Sequence, residues 1–349
     1  MSTTLQTDHH ITIKSAKNNF DFLRLLLAFI VVCSHIVVLS GSASLQAYAV
    51  FFPSNLAVCG FFIISGLLIS GSYYRDPRLS VYLQKRARRL LPAYISVVLL
   101  CAALLVFVSG YHPSSWFFSR EWWQYTISNL FFLNFLQPNL PGVFRHNPET
   151  VINGALWSIK IEVMFYLILP FILRWLLRPG KVLIKLSGIY IGSLIYRYGL
   201  EGLGHYSGHS FWNLLSYQLP GYMSYFACGI ALFLYRDRFQ RVPHYLMLLA
   251  LLILLLELKF SYTLLRPAAL AVLIYYVATR FSFLNHFGKY GDFSYGVYIF
   301  HFPLIQLAVY LGWFANDAHA IWHALALLPM CLLAGVLSWY LIEKRWLRR

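Results

Sequence analysis

The sequence predicts an all-α integral membrane protein, a bundle of about ten transmembrane helices with one short re-entrant segment. Three observations predict it. Of the 349 residues, 59% are hydrophobic and only 11% are charged. A soluble globular chain is about a quarter charged, so this composition excludes a soluble protein and a disordered one. Apolar runs recur from near residue 20 to residue 342, leaving no polar block large enough for a core of its own. Length alone would suggest about two domains; the continuous apolar runs predict one instead, over residues 1–349, with no appended soluble domain. The aromatic content of 18% and the 14 prolines exclude a coiled coil. A net charge of +16 would suggest nucleic acid in a soluble chain. Here the basic residues lie between apolar runs, where they set topology, so no nucleic-acid partner is expected.

Residues 1–19 are polar and lack the order of a signal peptide, so they read as a cytoplasmic tail. A helix needs about 20 apolar residues to cross a bilayer. Candidate spans lie near 20–40, 49–71, 90–109, 157–177, 182–200, 211–235, 243–258, 263–279, 293–314 and 320–342. An eleventh apolar stretch, 124–137, is short and carries two asparagines. With the N-terminus inside and 124–137 dipping in without crossing, the cytoplasmic segments hold 21 of the 28 lysines and arginines. If 124–137 crossed, 13 of those charges would move outside. The positive-inside bias therefore favours ten crossings with both termini cytoplasmic. Helical spans place the protein in an inner (cytoplasmic) membrane, since outer-membrane spans are barrels. The five cysteines all fall in apolar segments, at spacings that suggest neither a metal site nor a disulfide framework.

Ionisable groups inside spans are costly and usually face an interior cavity. Arg24 and His35 share the first span. Eleven residues return to nearly the same helix face, about 16 Å further along. A long cation near the cytoplasmic mouth, with an imidazole deeper on the same face, suggests an anionic ligand entering from the cytoplasm. Singly, Arg24 could equally snorkel to headgroups and His35 bond a carbonyl. Lys85, Arg86, Arg88 and Arg89 precede Pro92 at the cytoplasmic end of the third span. Anchoring to anionic membrane lipid explains many such clusters. Arg86 and Arg89, three apart on one face, also suit the oxygens of a phosphate. Glu162 lies about two turns into the span at 157–177 from outside. It reads as a group orienting a sugar hydroxyl, or as the partner of Lys160 or Arg145. His301, near mid-membrane in the span at 293–314, reads as a second site histidine or a packing residue beside Pro303. Ser65 and Gly66, in a small-and-aromatic stretch, read first as helix packing.

Taken together, these pieces resemble the acyltransferase-3 family of membrane acyltransferases, over almost the whole chain and in order. The family's Asp-x-x-Arg followed by His is matched by Asp21, Arg24 and His35. Its Phe-Phe-x-x-Ser-Gly stretch is matched by Phe61 to Gly66, and its Arg-x-x-Arg ahead of a proline by Arg86, Arg89 and Pro92. Trp157, Ser158, Glu162, Phe165 and Tyr166 match a Trp-Ser-x-x-x-Glu-x-x-Phe-Tyr motif. Ser294, Tyr295, Tyr298, His301 and Pro303 match the late Ser-Tyr-x-x-Tyr-x-x-His-x-Pro motif. The chain departs from the common pattern at Leu25, Lys160 and Val163.

The resemblance implies an acyl-CoA co-substrate, usually acetyl-CoA, with no bound cofactor and no metal. It implies transfer to a hydroxyl of a cell-envelope sugar, on a glycan or lipid-linked carrier, as in stand-alone bacterial polysaccharide O-acetyltransferases. The expected roles are His35 as catalytic base, with Arg24, Arg86, Arg88 and Arg89 binding the CoA donor. Asp21, Trp157, Glu162, Tyr295, His301 and Ser65 would support the site or face the acceptor, with Glu162 on the outer side. An acyl-His intermediate is equally compatible with these residues. The rival class is a transporter or flippase for an anionic solute or lipid-linked sugar, though no repeat relates the two halves. A non-catalytic partner of a glycan machine is a third reading; it gives Arg24 and His35 no reason to share a face.

Overall fold

The computed structural model describes residues 18–239, 243–256 and 264–347. Most of the expected N-terminal tail, the end of the expected span 243–258 and the start of 263–279 lie outside the described residues. The described residues form helices and connecting turns, with no strand among them. In order these are α1 (Phe20–Ser40), α2 (Ala43–Gln46), α3 (Ser54–Arg75), α4 (Leu79–Leu104), α5 (Pro113–Phe117), α6 (Arg120–Leu130), α7 (Leu156–Leu176) and α8 (Val182–Ser207). They continue with α9 (Ser210–Ser216), α10 (Leu219–Leu234), α11 (Arg236–Phe239), α12 (His244–Leu256), α13 (Arg266–Arg280), α14 (Ser294–Tyr310), α15 (Ala320–Ser338) and α16 (Lys344–Leu347). A π-helical stretch, Trp339–Glu343, joins the last two.

Among the described residues five segments are long and apolar enough to cross a membrane: Phe20–Ser40, Ala49–Arg75, Leu79–Val108, Leu156–Leu176 and Asp317–Leu347. The other five expected spans fall on shorter or more polar helices. The apolar run 211–235 is split between α9 and α10 at Tyr217 and Gln218, with Pro220 in the first turn of α10. The described parts of α12 and α13 have 13 and 15 residues, and α14 has 17. Over 124–137 the helix ends at Leu130. The eleven residues of α6 are about 16 Å long, roughly half the hydrocarbon thickness.

α3 lies at the centre, packed against α1, α4, α7, α10 and α13, while α14 packs against α1, α4 and α15. Glycine sets two of these crossings. A Cβ on Gly229 would stand 2.2 Å from the carbonyl O of Ile63 on α3, and one on Gly296 would stand 2.8 Å from Cα of Gly335 on α15. Without side chains the backbones approach closely, as apolar helices do where burial supplies little drive. The internal prolines find compensation. Pro170 leaves the Tyr166 carbonyl without its helical donor, and the Tyr82 hydroxyl donates to it at 3.0 Å. Pro303 does the same to Ile299, whose carbonyl accepts from Asn153 Nδ2 at 2.9 Å. Just before α1, the Asn19 side chain donates to the carbonyls of Val277 and Phe281, tying α1 to α13. Asp76, in the exposed α3–α4 turn, is held down to about 2 by hydrogen bonds from Arg78.

Candidate active site

Helices α1, α3, α4, α7 and α14 enclose a cavity of about 790 Å³, open mouth included. Arg24, Arg86 and Arg89 line it, with Ser65, Ser158, Glu162, Tyr166, Ser294, Tyr295 and Tyr298. It thus gathers residues from four of the five motifs and Arg24 from the first. Arg88 is half-buried on the same turn of α4 and does not line it. Trp157 does not line it either; its ring packs against Tyr222, 5.7 Å between centroids.

Charge is arranged unevenly at the mouth. Asp292, just before α14, accepts from Arg24 Nη1 at 3.0 Å and from Arg89 Nη2. Arg24 also pairs with Asp21 at 3.3 Å. Arg89 Nη1 reaches Glu343 Oε2 at 3.3 Å, and Ser338 Oγ donates to the other Glu343 oxygen at 2.8 Å. Burial alone would raise the Asp292 carboxyl. Arg89, Arg24 and the hydrogen bonds from Ser294 outweigh burial and hold it below the usual carboxylate range, so it stays ionised. The Arg89 fork is therefore committed to protein carboxylates and is not a free phosphate donor in this structure. Arg86 differs. Among the described residues no carboxylate pairs with it. Its Nη2 reaches Ser72 Oγ at 3.4 Å, its guanidinium lies over the Tyr166 ring, and its buried Nε has no partner among the described residues. It keeps donors for a ligand.

Glu162 is on the cavity wall with the arginines. It accepts from Ser65 Oγ at 3.2 Å and from the Tyr166 hydroxyl. The two cations expected as partners turn elsewhere: Lys160 donates to Gln218 Oε1 at 2.9 Å, and Arg145 to the Tyr111 hydroxyl at 3.1 Å. Ser65, read first as packing, holds this carboxylate. Tyr295 donates to the Leu90 carbonyl at 2.9 Å, and the Arg89 guanidinium lies 5.9 Å from the centre of its ring.

Arg24 and His35 both turn toward α14, as their spacing predicts. Arg24 meets Asp292 at the start of α14, and His35 meets His301 one turn past Tyr298, with His35 Nδ1 2.7 Å from His301 Nε2. His301 is fully buried and Phe302 packs edge-on against His35. Neither histidine lines the cavity. Tyr298, which lines it, has its ring 5.8 Å from that of His301 and its hydroxyl 2.5 Å from Ser158 Oγ, and Phe61 packs edge-on against it.

Sequence reasoning missed Asp292 and Glu343 as the acids that hold the arginines. Asp292 was visible as an acid at the mouth of a span; Glu343 sits in a basic run that reads as a topology signal. It also missed Arg197, 6% exposed in α8, paired with Glu201 at 3.1 Å and placed over Tyr217 and Tyr222.

Comparison with known proteins agrees with this picture. The acyltransferase-domain family of the acyltransferase-3 type matches residues 17–342. An O-acetyl transferase of Shigella phage Sf6 is 27% identical, over 95% of this chain and 96% of its own length. Nodulation protein 10 of Rhizobium leguminosarum bv. viciae is 26% identical, over 94% of this chain and 92% of its own. YrhL of Bacillus subtilis, provisionally named a peptidoglycan O-acetyltransferase, is 28% identical over 81% of this chain and 49% of its own length. No solved structure matches the chain. The family match spans all five motifs and every helix that lines the cavity, and the chain belongs to the acyltransferase-3 family of multi-pass membrane acyltransferases.

Proposed function

We propose that the protein moves an acetyl group from cytoplasmic acetyl-CoA to a hydroxyl of a cell-envelope glycan, at the inner membrane. The observation that carries this is the cavity. It opens beside three arginines, one with unspent donors, and it closes inward on Tyr298 and Ser158, one helical turn from a paired histidine. A phosphate-bearing donor with a long, thin, reactive arm suits that shape. Arg86 grips a CoA phosphate, and Arg24 flanks the pantetheine arm. Arg89 and its two acids brace the mouth. The thioester reaches His35 when the Tyr298–Ser158 contact opens, and His35 takes the proton of the acceptor hydroxyl.

The names of the Sf6 and Bacillus relatives support O-acetylation, and the second supports a glycan acceptor. Ten crossings with both termini cytoplasmic place the arginine mouth on the side where acetyl-CoA is made. In that topology α6 and the turns after it dip in from outside and return. A test uses membranes of cells expressing the chain, given acetyl-CoA labelled in the acetyl group. Label entering a glycan fraction as base-labile ester is the expected result. Label that stays on CoA, alongside movement of an intact anionic solute, would favour a transporter.

A further inference from the structure

Assigning His35 as base leaves open which of its nitrogens acts, and its surroundings answer that. Nδ1 of His301 lies 2.7 Å from the carbonyl O of Tyr298. A carbonyl only accepts, so this Nδ1 carries the proton. No carboxylate lies against either ring among the described residues, so the neutral forms are the relevant ones. A neutral imidazole has one N–H, so Nε2 of His301 accepts. That Nε2 is 2.7 Å from Nδ1 of His35, which must then donate. The ring planes differ by 10° and the centroids are 5.0 Å apart, close to the contact plus two ring radii. The rings therefore meet edge to edge, with the shared hydrogen in both planes, rather than face to face. These proton positions follow from the network of acceptors. His35 Nε2 is left with the lone pair.

We propose that His301 is a positioning residue. It holds His35 in the tautomer whose Nε2 is basic and accepts a hydrogen bond from His35 throughout the reaction. This rests on the acyl-transfer reading. As the acceptor oxygen attacks the thioester carbonyl, its proton passes to His35 Nε2. The C–O bond forms, the C–S bond breaks, and the CoA thiolate takes that proton from Nε2. His35 Nδ1–H stays on His301 Nε2 meanwhile, in the place a carboxylate holds behind the histidine of serine hydrolases. The support behind His301 is built in: Ser158 holds the Tyr298 hydroxyl, and Asn153 satisfies the carbonyl that Pro303 frees.

The test uses full-length protein in lipid nanodiscs, with ¹⁵N-histidine, and the variants His301→Ala and His301→Gln. Nitrogen shifts of His35 should report a protonated Nδ1 and a bare Nε2 in wild type. In His301→Ala the proton should move largely to Nε2; in His301→Gln, whose side-chain oxygen still accepts, it should stay on Nδ1. With acetyl-CoA, His301→Ala should lose about 10²-fold in kcat with little change in KM for the donor, and His301→Gln should regain much of it. An unchanged His35 tautomer in His301→Ala overturns the positioning role whatever the activity. So does a Gln variant as inactive as the Ala variant. A tautomer that shifts as expected, in a protein whose wild type transfers no acyl group, overturns the acyl-transfer reading and leaves the pairing in place.

Discussion

Arg86 and Arg89 stand three residues apart on one helix and do different work. Arg89 meets Asp292 and Glu343, and removing it would leave buried Glu343 without a cation and Asp292 with Arg24 alone. Breaking a buried pair in this way costs on the order of 3 kcal/mol, so Arg89→Ala should reduce the yield of folded protein and cannot cleanly report donor binding. Arg86 has no such debt. Arg86→Ala should raise the KM for acetyl-CoA roughly tenfold, the loss of one charged hydrogen bond to phosphate, while leaving kcat within about twofold. Steady-state kinetics with varied acetyl-CoA checks this, and an unchanged KM would remove Arg86 from the donor site. The arginines were legible in the sequence, since a cation cluster with three-residue spacing at a span's mouth is a local pattern. Their division of labour was not. Asp292 and Glu343 lie 203 and 254 residues from Arg89 along the chain, and no spacing rule links them. Glu162 carried a similar ambiguity. Its depth in the helix could be counted, but whether it turned to Lys160 or to Ser65 depended on how α3 packs on α7.

At the scale of elements, the apolar runs located the helices well where a run was long and unbroken. α1, α3 and α7 lie within a few residues of the expected spans. The third expected span, 90–109, begins eleven residues early, because α4 continues through the basic segment from Leu79. Pro92 does not end it. Such prolines are tolerated in apolar helices where neighbours answer the freed groups. The run at 211–235 reads as one span by composition, yet Tyr217 and Gln218 turn the chain before Pro220 opens α10. Apolarity reports burial or lipid contact and says nothing of the direction of travel. The short α6 is the element on which the topology turns. In a cysteine-free background, His146→Cys and Lys181→Cys place single exposed thiols on either side of α7. With ten crossings, an impermeant maleimide should label position 146 on intact cells and position 181 only after lysis. The reverse pattern would mean that 124–137 crosses.

Across the whole molecule, the cavity is a product of tertiary structure. Its walls come from α1, α3, α4, α7 and α14, and each contributes the polar face of a motif that looked weak alone. Buried polar groups are retained at membrane depth only where they are paired or line a cavity, which is why motif residues scattered over the chain converge. What could not be read ahead is that the histidine pair stands outside it. His301 packs against Tyr298, which lines the cavity, while neither histidine lines it.

The central claim is that His35 performs acyl transfer from acetyl-CoA. Its most direct test is purified protein in lipid nanodiscs, with acetyl-CoA labelled on the acetyl group, comparing wild type with His35→Ala at equal folded yield. The account predicts release of free CoA by wild type, quickened by a glycan acceptor, and none above background for His35→Ala. CoA release at the same rate by both proteins would contradict it.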